Sequence, residues 1–212
     1  MKKNRIQYSD ITGMYIDWSG LKTLPKVSNF IDIGVGEGTL DLWKKFKNSK
    51  IICIDPLSES EEITKKILKN YNYNFYKFAV GSKNFIGFIN IEKHIGRSTL
   101  LTVTKKNFEG KNLSRRKIQV KTLDSIIKNI KTMGSFGIKM DIEGYELNAI
   151  KGAAKTLKKT KFIIIEARHN HKTFQEQYKL EDLMKLMTKN NFVLTNVFTA
   201  KPFILDLCFR PI

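Results

Sequence analysis

Two unbroken apolar runs, Ile51-Ile52-Cys53-Ile54 and Phe162-Ile163-Ile164-Ile165, constrain this chain more than any other feature. Each is too short for a buried helix, and neither alternates as a half-exposed strand would. Strands of this kind are covered on both faces, which requires a mostly parallel sheet with helices on either side. The rest of the sequence keeps that rhythm. Asn29 to Ile33 reads as a first strand followed by a helix over Thr39 to Phe46, and Lys50 to Ile54 as a second strand. Ser58 and Glu61 form a capping-box pattern for a helix placing Ile63 and Ile67 on one side, and Asn74 to Val80 makes a third strand. Phe136 to Asp141 and Lys161 to Glu166 supply two more strands, with helices over Thr122 to Ile130, Tyr145 to Leu157 and Leu180 to Lys189. Phe192 to Phe198 and Phe203 to Phe209 close the pattern as an antiparallel pair. The expected fold is α/β, Rossmann-like, with an insert over residues 82–121 and a leader over residues 1–28. The whole of residues 1–212 is expected to form one domain.

Where the first strand ends, the chain reads Phe30-Ile31-Asp32-Ile33-Gly34-Val35-Gly36-Glu37-Gly38-Thr39. Glycines at a strand-to-helix turn let backbone approach a ligand where side chains would collide. Their spacing departs from the dinucleotide fingerprint, and no Gly-Lys-Ser/Thr follows as in a phosphate loop. Asp32 precedes the loop, and a carboxylate there suits an ammonium group better than a pyrophosphate. Asp55 ends the second strand, where it can accept hydrogen bonds from a ribose diol. Both carboxylates together suit S-adenosyl-L-methionine, with Asp32, Gly34, Gly36, Gly38 and Asp55 as the binding residues.

A second group stands in Gly137-Ile138-Lys139-Met140-Asp141-Ile142-Glu143-Gly144-Tyr145-Glu146, at the carboxyl end of the next strand. Glu166 ends the fifth strand and is followed by Ala167, Arg168 and His169. Helix-terminal roles for Asp141 and Glu143 stand beside catalytic ones. Asp141, His169 or Glu166 can remove a proton from a hydroxyl, in that order of preference, and His171 is a weaker candidate. Asp141 and Glu143 as ligands of a divalent cation are a further alternative, although two carboxylates do not specify a site. Ser98 and Thr99 are candidates for ligand contact, whereas Trp18 and Trp43 read as packing residues.

These segments, with Val120-Lys121-Thr122-Leu123-Asp124-Ser125-Ile126 and Ile150-Lys151-Gly152-Ala153, resemble the FkbM-type S-adenosylmethionine-dependent methyltransferases. The resemblance runs from about Asn29 to Glu166. It implies a class I methyltransferase with a seven-stranded, mostly parallel sheet containing one antiparallel strand. It also implies O-methylation of a hydroxyl on a sugar, glycan or related small molecule. An RNA methyltransferase and a non-catalytic S-adenosylmethionine-binding module are the rival readings.

Charge is weighed against that background. The chain carries 38 Lys and Arg against 20 Asp and Glu, a formal net charge of +18. Such a balance attracts nucleic acid, anionic lipid or acidic substrates. Only six of the cations are arginines, the residue favoured for reading bases and clamping phosphates, so nucleic acid is disfavoured as a partner. Nine Lys or Arg fall between Lys93 and Lys121 against Glu109 alone, and the insert is expected to face an anionic acceptor, with Arg115 and Arg116 contacting it. Cys53 and Cys208 lie in apolar runs and read as buried thiols. With no signal-peptide pattern after Met1 and no run of about 18 apolar residues, a cytoplasmic protein is expected. Oligomeric state is left open by the sequence.

Overall fold

The computed structural model describes residues 7–9, 14–16, 18–103, 113–130, 132–169 and 174–212. Five parallel strands form its centre: β3 (Asn29–Ile33), β4 (Lys50–Ile54), β5 (Tyr73–Tyr76), β9 (Phe136–Met140) and β10 (Thr160–Arg168). β12 (Ile204–Pro211) runs antiparallel to β10, and β11 (Phe192–Ala200) pairs antiparallel with β12. These seven strands lie in the order β11-β12-β10-β9-β3-β4-β5, the mostly parallel arrangement expected. Two short leader strands, β1 (Gln7–Ser9) and β2 (Met14–Ile16), extend the sheet beyond β11 to nine strands.

The continuous apolar runs have the predicted cause. Ile52, Ile54, Ile163 and Ile165 point into one core, while Ile51, Cys53, Phe162 and Ile164 point into another on the opposite face. Helix α1 (Leu40–Lys45) covers the second core with Leu42 and Trp43. The first core is covered by α3 (Leu123–Ile130), α4 (Glu146–Lys151), α5 (Ala154–Leu157) and α6 (Leu180–Lys189), through Leu123, Ile126, Ile150, Leu157, Leu183 and Met187. Both cysteines are buried and free.

Several boundaries differ from the sequence expectation, each for a local reason. The strand expected over Asn74 to Val80 is split: the Phe78 N–H donates to the Tyr76 carbonyl at 2.9 Å, and this tight turn sends β6 (Ala79–Val80) into a second sheet. The single helix expected over Tyr145 to Leu157 breaks at Gly152. A Cβ there would lie 2.1 Å from the carbonyl oxygen of Gly81, just after β6, so glycine lets that backbone lie against the helix pair. Asp124 accepts the Lys155 and Thr156 N–H groups at 2.9 and 2.8 Å, which starts α5 afresh. After the break Ala153 is buried and Ala154 exposed. Helix α2 (Ser58–Ile67) begins at Ser58 with Leu57 as its cap, so Ser58 makes no capping box. It buries Ser60 and Thr64, with Ile63 and Ile67 half-buried.

Residues 82–121 include β7 (Phe85–Ile91) and β8 (Ser114–Lys121), which with β6 make a separate sheet in the order β6-β8-β7. The part of this insert over residues 104–112 lies outside the described residues, as does His171.

Packing of the central sheet gives a direct test. A Cβ on Gly137 of β9 would sit 2.3 Å from the ring of Phe162, which is fully buried and has no room to withdraw. Gly137→Ala is expected to destabilise the fold by about 1–3 kcal/mol through overpacking. Thermal unfolding should show a midpoint lower by several degrees.

Candidate functional site

The glycine loop and the acidic segment meet where the sheet order reverses between β3 and β9, the usual ligand position in open α/β sheets. The Gly34 N–H extends the ladder to the Ile54 carbonyl at 3.0 Å, and the Asp141 N–H donates to the Ile33 carbonyl at 2.9 Å. Gly34 has φ 77°, and a Cβ there would lie 1.7 Å from the Asp141 carbonyl oxygen, so no other residue fits. Gly36, with φ 52°, would bring a Cβ to 3.0 Å from the Cα of Gly96 in the insert. Between these elements opens a cleft of about 500 Å³, including the solvent at its mouth. Gly34, Gly36, Asp55 and Asp141 form its polar wall, and Ile89, Ile95, Ser98 and Leu100 close it from the insert.

Asp55 is almost wholly buried at the cleft wall. One of its oxygens accepts the Gly36 N–H at 3.0 Å and the other the Leu57 N–H at 2.9 Å. Asp32 is placed differently from the direct ligand contact expected. It is fully enclosed behind the wall, and its Oδ2 accepts the Thr39 hydroxyl at 2.9 Å and the Trp43 indole N–H at 2.7 Å. Burial pushes its carboxyl up to about 6 against the pull of those two donors and of Lys139. Gly38 also sits back from the cleft, where its Cβ would lie 2.8 Å from the Trp43 ring. Asp32, Gly38 and Trp43 thus brace the loop from behind.

Asp141, Glu143 and Glu166 come together, with carboxylate oxygens within 4.8 Å of one another. Their environments separate them. Asp141, with its side chain 31% exposed, faces the cleft and pairs with Lys139 Nζ at 3.3 Å. Glu143 is buried, has φ 54° and is ion-paired with Arg168, whose guanidinium lies 5.3 Å from the Phe174 ring centre. Burial raises the Glu143 carboxyl, and the Arg168 guanidinium opposes that rise. Burial and then the Asp141 charge push Glu166 up to about 9 against the pull of Lys139, with Glu143 adding to the rise. His169 does not join them: its Nε2 lies 3.0 Å from the Lys201 carbonyl, in the turn between β11 and β12.

Sequence reasoning gave no separate role to two groups that organise this site, Lys139 and Glu146. Lys139 is buried in β9, where Asp141 at 3.3 Å and Asp206 at 3.6 Å face its ammonium. Burial opposes the Lys139 charge, yet Asp141, Asp206, Glu166 and Asp32 together raise its pKa above the usual range. The signal was present as one lysine inside the apolar strand Phe136–Met140. Glu146 is fully buried, and its Oε1 accepts both the Ile142 and Gly144 N–H groups at 3.0 Å, fixing the turn that presents Glu143. Thr99 donates its hydroxyl to the Glu143 carbonyl at 2.8 Å and ties the insert to that turn. Ser98 lines the cleft, with a buried hydroxyl that has no hydrogen-bond partner among the described residues.

The expected contact of Arg115 and Arg116 with an acceptor is corrected by their positions. Arg116 makes two hydrogen bonds to Glu59 of α2, at 2.8 and 2.7 Å, and Arg115 lies over Phe88, 4.6 Å from its ring centre. The insert turns mainly apolar side chains toward the cleft.

Comparison with known proteins now carries weight. The Methyltransferase FkbM domain model matches residues 32–194, which takes in the loop, the acidic segment and β10. The chain belongs to the FkbM methyltransferase domain family. A methyltransferase FkbM from Methylobacillus flagellatus KT superposes with a TM-score of 0.54 at 20% identity, covering 87% of this chain and 43% of the other. This FkbM-family chain therefore spans less than half the length of that relative. A putative S-adenosylmethionine-dependent methyltransferase from Listeria monocytogenes gives a TM-score of 0.51 at 11% identity, covering 92% and 97%. The ribosomal protein L11 methylase of Lactobacillus delbrueckii subsp. bulgaricus gives 0.50 at 10% identity, covering 92% and 76%. At these identities the likeness is one of fold. No curated protein matches the FkbM-family chain significantly.

The proton on Glu166 has a measurable consequence. Its folded-state pKa lies above the ordinary carboxyl value of 4.5, so the folded state binds the extra proton. The associated stability is fully present below the ordinary value and is lost as pH rises toward 9. Glu166→Gln removes this titration. The variant's thermal midpoint should therefore gain on the parent steadily between those two pH values and level off above them, as read by circular dichroism melts across pH.

Proposed function

We propose that the chain is an S-adenosylmethionine-dependent methyltransferase acting on a hydroxyl of a sugar, glycan or related small molecule. The observation that carries this reading is the shared cleft, with the glycine loop and Asp55 on one side and Asp141 on the other. The cofactor fits the residues present. Positive-φ glycines leave backbone bare at the cleft, and the adjoining carboxylates favour a ligand with a sulfonium and an ammonium group. Gly34, Gly36 and Asp55 would hold it. Each Asp55 oxygen accepts a backbone N–H, which fixes the plane of the carboxylate at the cleft wall, where a ribose diol would meet it. When bound, S-adenosylmethionine supplies an electrophilic methyl group.

What remains for the protein is positioning and proton removal. Asp141 is the suitable base among the clustered acids. Lys139 holds it from behind, whereas Glu143 is committed to Arg168 and burial beside Asp141 disfavours the charged form of Glu166. Ser98 offers a hydroxyl to a ligand in the same cleft.

Calorimetry with S-adenosylmethionine is expected to show binding by the parent and at least about tenfold weaker binding by Asp55→Ala. Asp141→Asn should bind the cofactor normally. Its transfer of labelled methyl to a fraction of host glycans and metabolites should fall by about 10²–10⁴-fold. A parent that does not bind the cofactor would overturn the assignment; undiminished transfer by Asp141→Asn would remove Asp141 as the base.

A further inference from the structure

The second sheet has two unlike faces. In the antiparallel β7/β8 pair, Ile86 lies opposite Gln119, Phe88 opposite Lys117 and Asn90 opposite Arg115, so these six share one face. The other face carries Ile89, Ile91, Ile118 and Val120, packed in a small core with Leu57 and Ala79. On the first face Ile86 is 63% exposed and Phe88 47% exposed, beside the exposed Arg115 and Lys117. No acidic residue belongs to that face among the described residues. β7 is also the edge strand of this sheet, and among the described residues its free side is met by one bridge, Asn90 to Thr99, away from Ile86 and Phe88.

Apolar side chains standing in a basic field are the pattern of a surface that meets anionic headgroups and dips into the acyl boundary. Single-stranded nucleic acid asks for something else, namely open aromatic faces on which bases stack. Here the Arg115 guanidinium already covers the Phe88 ring at 4.6 Å, and the Lys121 ammonium covers Phe78 at 3.7 Å. Ile86, the most exposed apolar side chain on the face, offers no stacking surface at all. The net charge of +18 adds a long-range attraction toward any anionic surface.

We propose that this outer face of the insert docks on an anionic phospholipid bilayer, with Ile86 and Phe88 entering the interface and Arg115 and Lys117 engaging headgroup phosphates. The inner face of the same sheet contributes Ile89 to the cleft wall. Docking therefore sets the back of that wall against the membrane. The assignment rests on the face itself and is independent of the reaction performed in the cleft.

Vesicle sedimentation tests it, using phosphatidylcholine alone and phosphatidylcholine with about 30 mol % phosphatidylserine. The parent should bind the anionic vesicles at least about tenfold more tightly than the neutral ones, and about 0.5 M salt should release most of it. Bulk positive charge alone would give that much, so the deciding variant is Ile86→Ser/Phe88→Ser, which leaves net charge unchanged. Its anionic-vesicle affinity should fall by about fivefold or more, with circular dichroism unaltered. An Ile86→Cys variant carrying an environment-sensitive fluorophore keeps the question answerable if the double variant misfolds. Its emission should shift to the blue on anionic vesicles. Unchanged binding by a folded double variant, an unshifted fluorophore, or no preference of the parent for anionic vesicles would each overturn the proposal. So would tighter binding of the parent to polyuridylate than to anionic vesicles at equal phosphate.

Discussion

A lysine buried in the middle of a parallel sheet has to be surrounded by negative charge, and much of this molecule is arranged around that requirement. Lys139 lies on β9, with Asp32 beside it in register on β3 and Asp206 reaching it from β12, two strands away on the other side. Asp141 pairs with it from two residues further along its own strand. An unpaired buried ammonium costs several kcal/mol, so β3 is tied to β9 by more than its ladder and β12 is tied to β9 across β10. The antiparallel last strand thereby becomes part of the site's support.

The same network divides labour among acids that look alike in the sequence. Glu146 serves two backbone N–H groups, Glu143 serves Arg168, and Asp32 serves Thr39 and Trp43. Each is engaged internally through one of its oxygens, which fixes its orientation. Asp141 and Asp55 are the two acids that line the cleft among the described residues. Environment, more than residue type, decides which carboxylate can do chemistry.

Much of the fold was legible because it depends on local pattern. Unbroken apolar runs specify doubly covered strands, and the helical spacing of Leu183 and Met187 specifies a buried helix face. The glycine loop was legible because backbone geometry there leaves no alternative. What escaped depends on contacts between distant residues. Asp32 was read as facing a ligand because nothing in the sequence says that Trp43, eleven positions on, turns its indole N–H back to it. The roles of Lys139 and Glu146 need β12 and the 142–144 turn in place. Arg116 read as free charge until Glu59 of α2 stood next to it. The break at Gly152 likewise needs the Gly81 carbonyl, from an element some seventy residues earlier.

The near-contact of Gly36 with Gly96 joins two parts of the molecule that would otherwise diverge independently. A ligand lying along the first loop also meets the insert, because the two backbones close to within one Cβ of each other there. Substitutions that reshape the insert must preserve that approach or disturb the loop as well. Change in the insert is in this way coupled to change in the glycine loop.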